Sequence, residues 1–133
     1  MKTILTENAP APIGPYSQAI QAGDFLFLSG QIPLDPKTNQ VMLFDGDVAK
    51  QAELVLKNIE AILAAEKLTF DAVVKTTIFL RDLNQFQKVN ETYAKFFKDH
   101  KPARSTVEVS NLPKNVDIEI EAVAIISSRI HGT

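Results

Sequence analysis

The segment Val73–Leu80 restricts the architecture more than any other stretch of this chain, because neither of its faces is cleanly polar. It is rich in β-branched and aromatic residues, which is a strand composition, and strand side chains alternate between two faces. By that alternation Val74, Thr76, Ile78 and Leu80 fall on one side, and Val73, Lys75, Thr77 and Phe79 on the other. A sheet built around such a strand needs cover on both sides. The chain offers two amphipathic helices. In the first, Val48, Ala52, Val55, Leu56, Ile59, Ile62 and Leu63 recur at helical spacing behind Asp45 or Asp47 as the N-cap. The second is capped by Asp82, runs to Lys98, and turns Phe86, Val89, Tyr93, Phe96 and Phe97 inward. Two helices cover one sheet face, so the other face calls for a partner subunit.

The remaining segments read as strands and turns. Residues 9–16 are dense in Pro and Gly and therefore extended. Residues 18–22 and 25–29 form a hairpin around Gly23-Asp24, which Gly30-Gln31-Ile32-Pro33 ends. Residues 34–46 are a loop with a short strand piece, and the last strands, 104–109 and 116–126, are joined by 110–115 with Pro113 as a turn former. The order strand, strand, helix, strand, helix, strand, strand predicts an α+β fold, a mixed sheet with both helices on one face. With 133 residues and 45% apolar content, the expected organisation is a single domain over residues 1–133.

Composition removes several classes of function. A formal charge of −2 supplies no cationic surface for phosphate, which disfavours nucleic acid as a partner. The absence of cysteine excludes disulfides, thiolate metal sites and a cysteine nucleophile. Lys2, Thr3, Thr6, Glu7 and Asn8 break up any signal-peptide core, and no apolar run approaches the ~20 residues of a spanning helix, so the expectation is a cytoplasmic protein with no membrane partner. Asn90-Glu91-Thr92 fits the glycosylation pattern without a secretory route to use it. His100 and His131 have no metal-ligand spacing, Ser17, Ser29 and Ser105 have no convincing His and acid partners, and no Gly-rich nucleotide cradle is present.

What chemistry the residues offer centres on Pro102-Ala103-Arg104-Ser105-Thr106-Val107-Glu108-Val109 and Val116-Asp117-Ile118-Glu119-Ile120-Glu121-Ala122. Alternation places Arg104, Thr106 and Glu108 on one face of their strand, and Asp117, Glu119 and Glu121 on one face of theirs. A guanidinium matches a carboxylate bidentately, and a nearby carboxylate can hold or deprotonate a water. Spacing alone favours a solvated face with surface ion pairs. Tyr16 and Ser29, beside Pro or Gly, either present side chains to a ligand or serve as packing and turn residues.

The full length of the chain resembles the RidA family, also called YjgF or YER, the reactive-intermediate deaminases. The resemblance is carried by residues 9–19 (APAPIGPYSQA), 28–33 (LSGQIP) and 79–89 (FLRDLNQFQKV), and above all by 102–109 (PARSTVEV) with 118–121 (IEIE). It implies a chorismate-mutase-like fold assembled as a homotrimer, with three sheets lining a central barrel, helices outside and sites in the clefts between subunits. It also implies that the last strand inserts beside the central strands, a topology the residue pattern alone does not supply.

The function so implied is hydrolytic deamination of 2-iminobutanoate and 2-iminopropanoate, the enamine and imine products of pyridoxal-phosphate dehydratases, to 2-oxo acids and ammonia, with no cofactor and no metal. Arg104 would bind the substrate carboxylate and Glu119 the attacking water. Tyr16, Ser29, Gly30 and the backbone at Thr106 would line the pocket, with Asn84 a further contributor. Two departures stand out: Thr106 occupies a position that is Cys in many relatives, and the helix exit Ala65-Glu66-Lys67-Leu68-Thr69 lacks a glycine common there, which places a non-glycine residue at a strained helix end. Two other readings remain: a non-catalytic regulatory trimer that binds 2-oxo acids through the same arginine, and a ribonuclease or translation inhibitor.

Overall fold

A computed structural model describes residues 1–126, so His131 lies outside the described residues, as does the end of the expected domain. The elements are β1 (Lys2–Ile4), β2 (Ala19–Ala22), β3 (Phe25–Gln31), α1 (Val48–Ala65), β4 (Val73–Leu80), α2 (Phe86–Phe97), β5 (Ala103–Glu108) and β6 (Ile118–Ile125). They form one six-stranded sheet in the order β1-β2-β3-β6-β4-β5. The sheet is mixed, since β4 and β5 run parallel and every other neighbouring pair is antiparallel. The last strand inserts between β3 and β4, as the resemblance implied.

Both helices pack on one face, the α+β arrangement expected. Leu26 and Leu28 of β3, Ile78 and Leu80 of β4, and Ile118, Ile120, Ala122 and Ala124 of β6 form one core with the apolar stripe of α1 and with Val89, Tyr93 and Phe97 of α2. Asp47 caps α1, accepting from the N–H groups of Ala49 and Lys50 at 3.0 and 3.2 Å. The opposite face is uncovered and mixed, with Lys75, Thr77, Glu119 and Glu121 beside several apolar side chains. Phe25 and Phe27 are 41% and 47% exposed there, paired across strands with Ile125 and Val123, and Phe79 pairs with an exposed Val107.

Five expectations are corrected. The N-terminal strand β1 was absent from the predicted order; it pairs on β2 through three residues too short to show a period. Strand β3 does not stop at Gly30 but continues to Gln31, with its register against β6 shifted between Leu28 and Gln31. A similar irregularity between Val73 and Lys75 breaks the alternation in β4: Val73 is buried while Val74 is exposed, so the inward set is Val73, Thr76, Ile78 and Leu80. Asp82 caps a 3₁₀ turn, Leu83–Gln85, and α2 proper starts after it without a side-chain cap. The last strand is also shorter than expected, because a 3₁₀ turn at Pro113–Asn115 delays β6 to Ile118, while β5 keeps its expected length one residue earlier, at Ala103–Glu108.

Both helices end in conformations that favour glycine. After α1, Lys67 has φ 59°, its N–H donates to the Ala64 carbonyl at 2.9 Å, and Leu68 N–H reaches back to Leu63 at 3.0 Å. This is a Schellman ending with lysine where glycine fits best. Lys67→Gly is expected to stabilise the protein by about 0.5–1 kcal/mol, since the relieved left-handed strain exceeds glycine's added unfolded-state entropy; an unchanged melting temperature would show that the strain is not felt. After α2, Lys98 has φ 56° and ψ −120°, and His100 N–H closes a turn onto the Phe97 carbonyl at 3.0 Å. These are the angles of the first central residue of a type II′ turn, where glycine is the usual occupant. For lysine the strain is of order 1–3 kcal/mol, against about 0.3–1 kcal/mol for a cation at the negative end of the helix dipole.

Among the described residues no helix is long and apolar enough to cross a membrane.

Candidate active site

Glu119 sits on the uncovered face of the sheet, opposite Phe79 across the β4–β6 ladder, while its neighbours Ile118 and Ile120 point into the core. Its carboxylate lies against the backbone of Gly30. A β-carbon built on Gly30 would overlap Oε2 and stand 2.9 Å from Cδ, so only glycine leaves the carboxylate its place. Gly30→Ala is therefore expected to displace Glu119 and lower activity with little change in secondary structure; full activity would show that the carboxylate position is not required. A cavity of about 450 Å³ opens here, lined by Tyr16, Ser29, Gly30, Lys114 and Glu119 among others.

The N-terminal segment forms the far wall. Buried Gln18 holds it by donating to the carbonyls of Thr6, Ala9 and Pro10 at 3.0, 3.3 and 2.9 Å and accepting from Thr6 N–H at 2.7 Å. Ser29 Oγ donates to the Ser17 carbonyl at 2.5 Å, and the exposed Tyr16 takes an N–H from Ile13 on its hydroxyl at 3.2 Å. Burial, and secondarily the negative charge of Glu121, raise the Glu119 carboxyl above its ordinary range. Among the described residues no Lys or Arg pairs with it. A half-buried carboxyl of raised pKa without a cation is suited to proton transfer.

Arg104 stands on the other side of the sheet. In β5 it pairs with Thr76, whose side chain faces the helices and shares a 2.7 Å hydrogen bond with the Tyr93 hydroxyl. The guanidinium lies over the rings of Phe86 and Tyr93 at 5.3 and 5.0 Å from their centroids, and Phe97 stacks on Tyr93 at 4.3 Å. This aromatic platform orients the fork while leaving it exposed. A second cavity, about 440 Å³, is lined by Asn90, Tyr93, Ala94, Lys98, Lys101 and Arg104 among others.

Two buried polar atoms at this end of the molecule, Asn90 Oδ1 and Thr106 Oγ1, lack hydrogen-bond partners. Thr106 shares the face of Arg104 on β5. Asn84 lines neither cavity; it lies in the 3₁₀ turn with its N–H held by Asp82 at 2.9 Å. Asn90 was missed by the sequence reading, although its place was visible: it lies four residues after Phe86 and three before Tyr93, a polar residue bordering the inward stripe of α2.

The sequence residues singled out thus divide into two groups. Tyr16, Ser29, Gly30 and Glu119 come together, Arg104 and Thr106 come together, and within one chain the sheet separates the groups. A match to the family described as Endoribonuclease L-PSP spans residues 6–126. The chain belongs to the YjgF/RidA family. Within it, a 2-iminobutanoate/2-iminopropanoate deaminase of Escherichia coli is 54% identical over 127 residues, covering 93% of this chain and 97% of that protein. A RutC family protein of Pyrococcus horikoshii is 57% identical over 123 residues, 92% and 96% of the two chains. Among solved YjgF/RidA structures, Escherichia coli TdcF with bound serine superposes with a TM-score of 0.88 at 45% identity, covering 96% of this chain and all of that one. A Thermotoga maritima protein described as a putative endoribonuclease reaches 0.90 at 46% identity, over 96% and 98%.

Proposed function

We propose that this protein is a cofactor-independent imine deaminase that hydrolyses 2-iminobutanoate and 2-iminopropanoate at sites shared between copies of the chain. The observation that carries the reading is the division of the site residues. A fork able to grip a carboxylate and a carboxyl able to hold water lie on opposite faces of one sheet, so joining them requires the Arg104 cavity of one copy and the Glu119 cavity of another. The exposed apolar side chains of the uncovered face, Phe25, Phe27 and Val107, support the same assembly, a homotrimer whose sheets cover one another.

The chemistry follows from these groups. Arg104 fixes the substrate carboxylate through paired hydrogen bonds, placing the adjacent imine carbon in the cleft. Ionised Glu119 takes a proton from the bound water as its oxygen adds to that carbon and passes it to the imine nitrogen, giving the carbinolamine; it then takes the carbinolamine hydroxyl proton and delivers it to the same nitrogen, which leaves as ammonia as the C–N bond breaks and the ketone forms. One C–O double bond replaces one C–N double bond, and one water is consumed. An imine hydrolyses unaided in water, so orientation and one proton relay, worth about 100-fold to 10,000-fold for the general acid–base part, suffice for useful acceleration.

The relative named as a 2-iminobutanoate/2-iminopropanoate deaminase is matched over nearly its whole length, which favours this reading over a non-catalytic sensor. The family's description favours a ribonuclease. Against that, the one histidine among the described residues, His100, has its Nε2 engaged 2.6 Å from the Val73 carbonyl, so no histidine pair serves phosphodiester cleavage there. The test couples a threonine dehydratase to the purified protein and follows semicarbazide trapping of the imine. Reduced trapping with faster 2-oxobutanoate release supports the deaminase; unchanged trapping overturns it.

A further inference from the structure

The Arg104 cavity carries more positive charge than carboxylate binding needs. Lys98 and Lys101 line it with Arg104, beside His100. Neither lysine has an ion-pair partner among the described residues, although acidic residues outnumber basic ones in the chain as a whole. Lys98 is also held in a backbone conformation suited to glycine, and its placement at the end of α2 offsets only part of that strain. Strain retained in the cavity lining, on a residue whose side chain has no ion-pair partner among the described residues, points to a role for the side chain in what enters the cavity.

We propose that Lys98 is a capture residue for anionic substrate: its ammonium raises the positive potential in the Arg104 cavity and speeds the arrival of the imino acid carboxylate, without contacting the reacting atoms. This rests on the deaminase reading and extends it. Imine intermediates decay in water, so an enzyme that must intercept them gains more from fast association than from tight binding. A cleft lined by one sign of charge, with low-dielectric walls, supplies that gain. The turn from Phe97 to His100 then trades local stability for a cation placed where a glycine would leave none.

The experiment compares the wild type with Lys98→Gly and Lys98→Arg, measuring kcat/KM across ionic strength, melting temperature, and binding of 2-oxobutanoate by calorimetry. Lys98→Gly is expected to melt higher by roughly 2–5 °C. At low salt its kcat/KM should fall about threefold to tenfold, with the loss in KM and not in kcat. The two enzymes should converge within about twofold near 0.5 M salt, where the screening length shrinks to a few ångströms. Lys98→Arg keeps charge and backbone and should match the wild type on every measure. A Lys98→Gly variant that melts higher yet keeps the full low-salt kcat/KM and its salt dependence overturns the proposal while leaving the deaminase reading intact. Salt-sensitive 2-oxobutanoate binding that weakens in Lys98→Gly, without imine turnover by the wild type, overturns the deaminase reading and leaves the capture role standing.

Discussion

Arg104→Lys is expected to lower kcat/KM for 2-iminobutanoate by roughly 100-fold, the scale of effect produced when a reacting group is held out of position. Charge is retained in this variant, so long-range attraction of the substrate survives. What is lost is the planar fork, and with it the lean of the guanidinium on the rings of Phe86 and Tyr93 that fixes its direction. An ammonium in the same place is a point charge free to rotate, and the imine carbon it anchors is no longer aimed. Single-turnover kinetics alongside circular dichroism separates this from misfolding. Near-normal turnover by the lysine variant would remove Arg104 from the role.

Glu119→Gln is expected to reduce activity by about 100-fold to 10,000-fold, because the amide neither takes nor returns a proton. The same substitution should raise the melting temperature at neutral pH. The sign follows from burial: the fold prefers the neutral form of a carboxyl whose pKa lies above its unfolded value. The stability so supplied is complete below the unfolded carboxylate pKa and is lost as pH rises through the higher folded value. At neutral pH the ionised wild-type residue is therefore a cost that glutamine lacks. The acid limb of the wild-type kcat/KM profile should lie above the ordinary carboxylate range and disappear in the variant. A variant both inactive and less stable would assign Glu119 to packing.

Much of this molecule was legible in its sequence. The stripe from Val48 to Leu63 declared α1 and its buried face, and narrowed its cap to Asp45 or Asp47, of which the structure has Asp47, because helical period and capping are local properties. The resemblance marked the exit at 65–69 as lacking a glycine, and the left-handed residue there is Lys67. Alternation placed Arg104 with Thr106 and Glu119 against Ile118 and Ile120. What alternation cannot supply is the relation of one strand's faces to another's. The insertion of β6 between β3 and β4 comes from long-range pairing, and only that pairing shows that Arg104 and Glu119 look away from each other. The irregularity at Val74 escaped for a related reason: a single extra residue reverses the parity upstream of it and leaves no mark in composition. Asn84 was carried over from a motif, whereas Asn90 lines the Arg104 cavity because of where α2 crosses the sheet.

The separation of Arg104 and Glu119 across the sheet gives this chain a genetic property as well as a chemical one. In the proposed assembly each polypeptide would contribute the cationic half of one cleft and the acidic half of another, so a copy defective in the first half and a copy defective in the second would be complementary. Two inactive proteins, Arg104→Ala and Glu119→Gln, unfolded together and reassembled, would regain turnover at the junctions where their intact halves meet, and neither would do so alone.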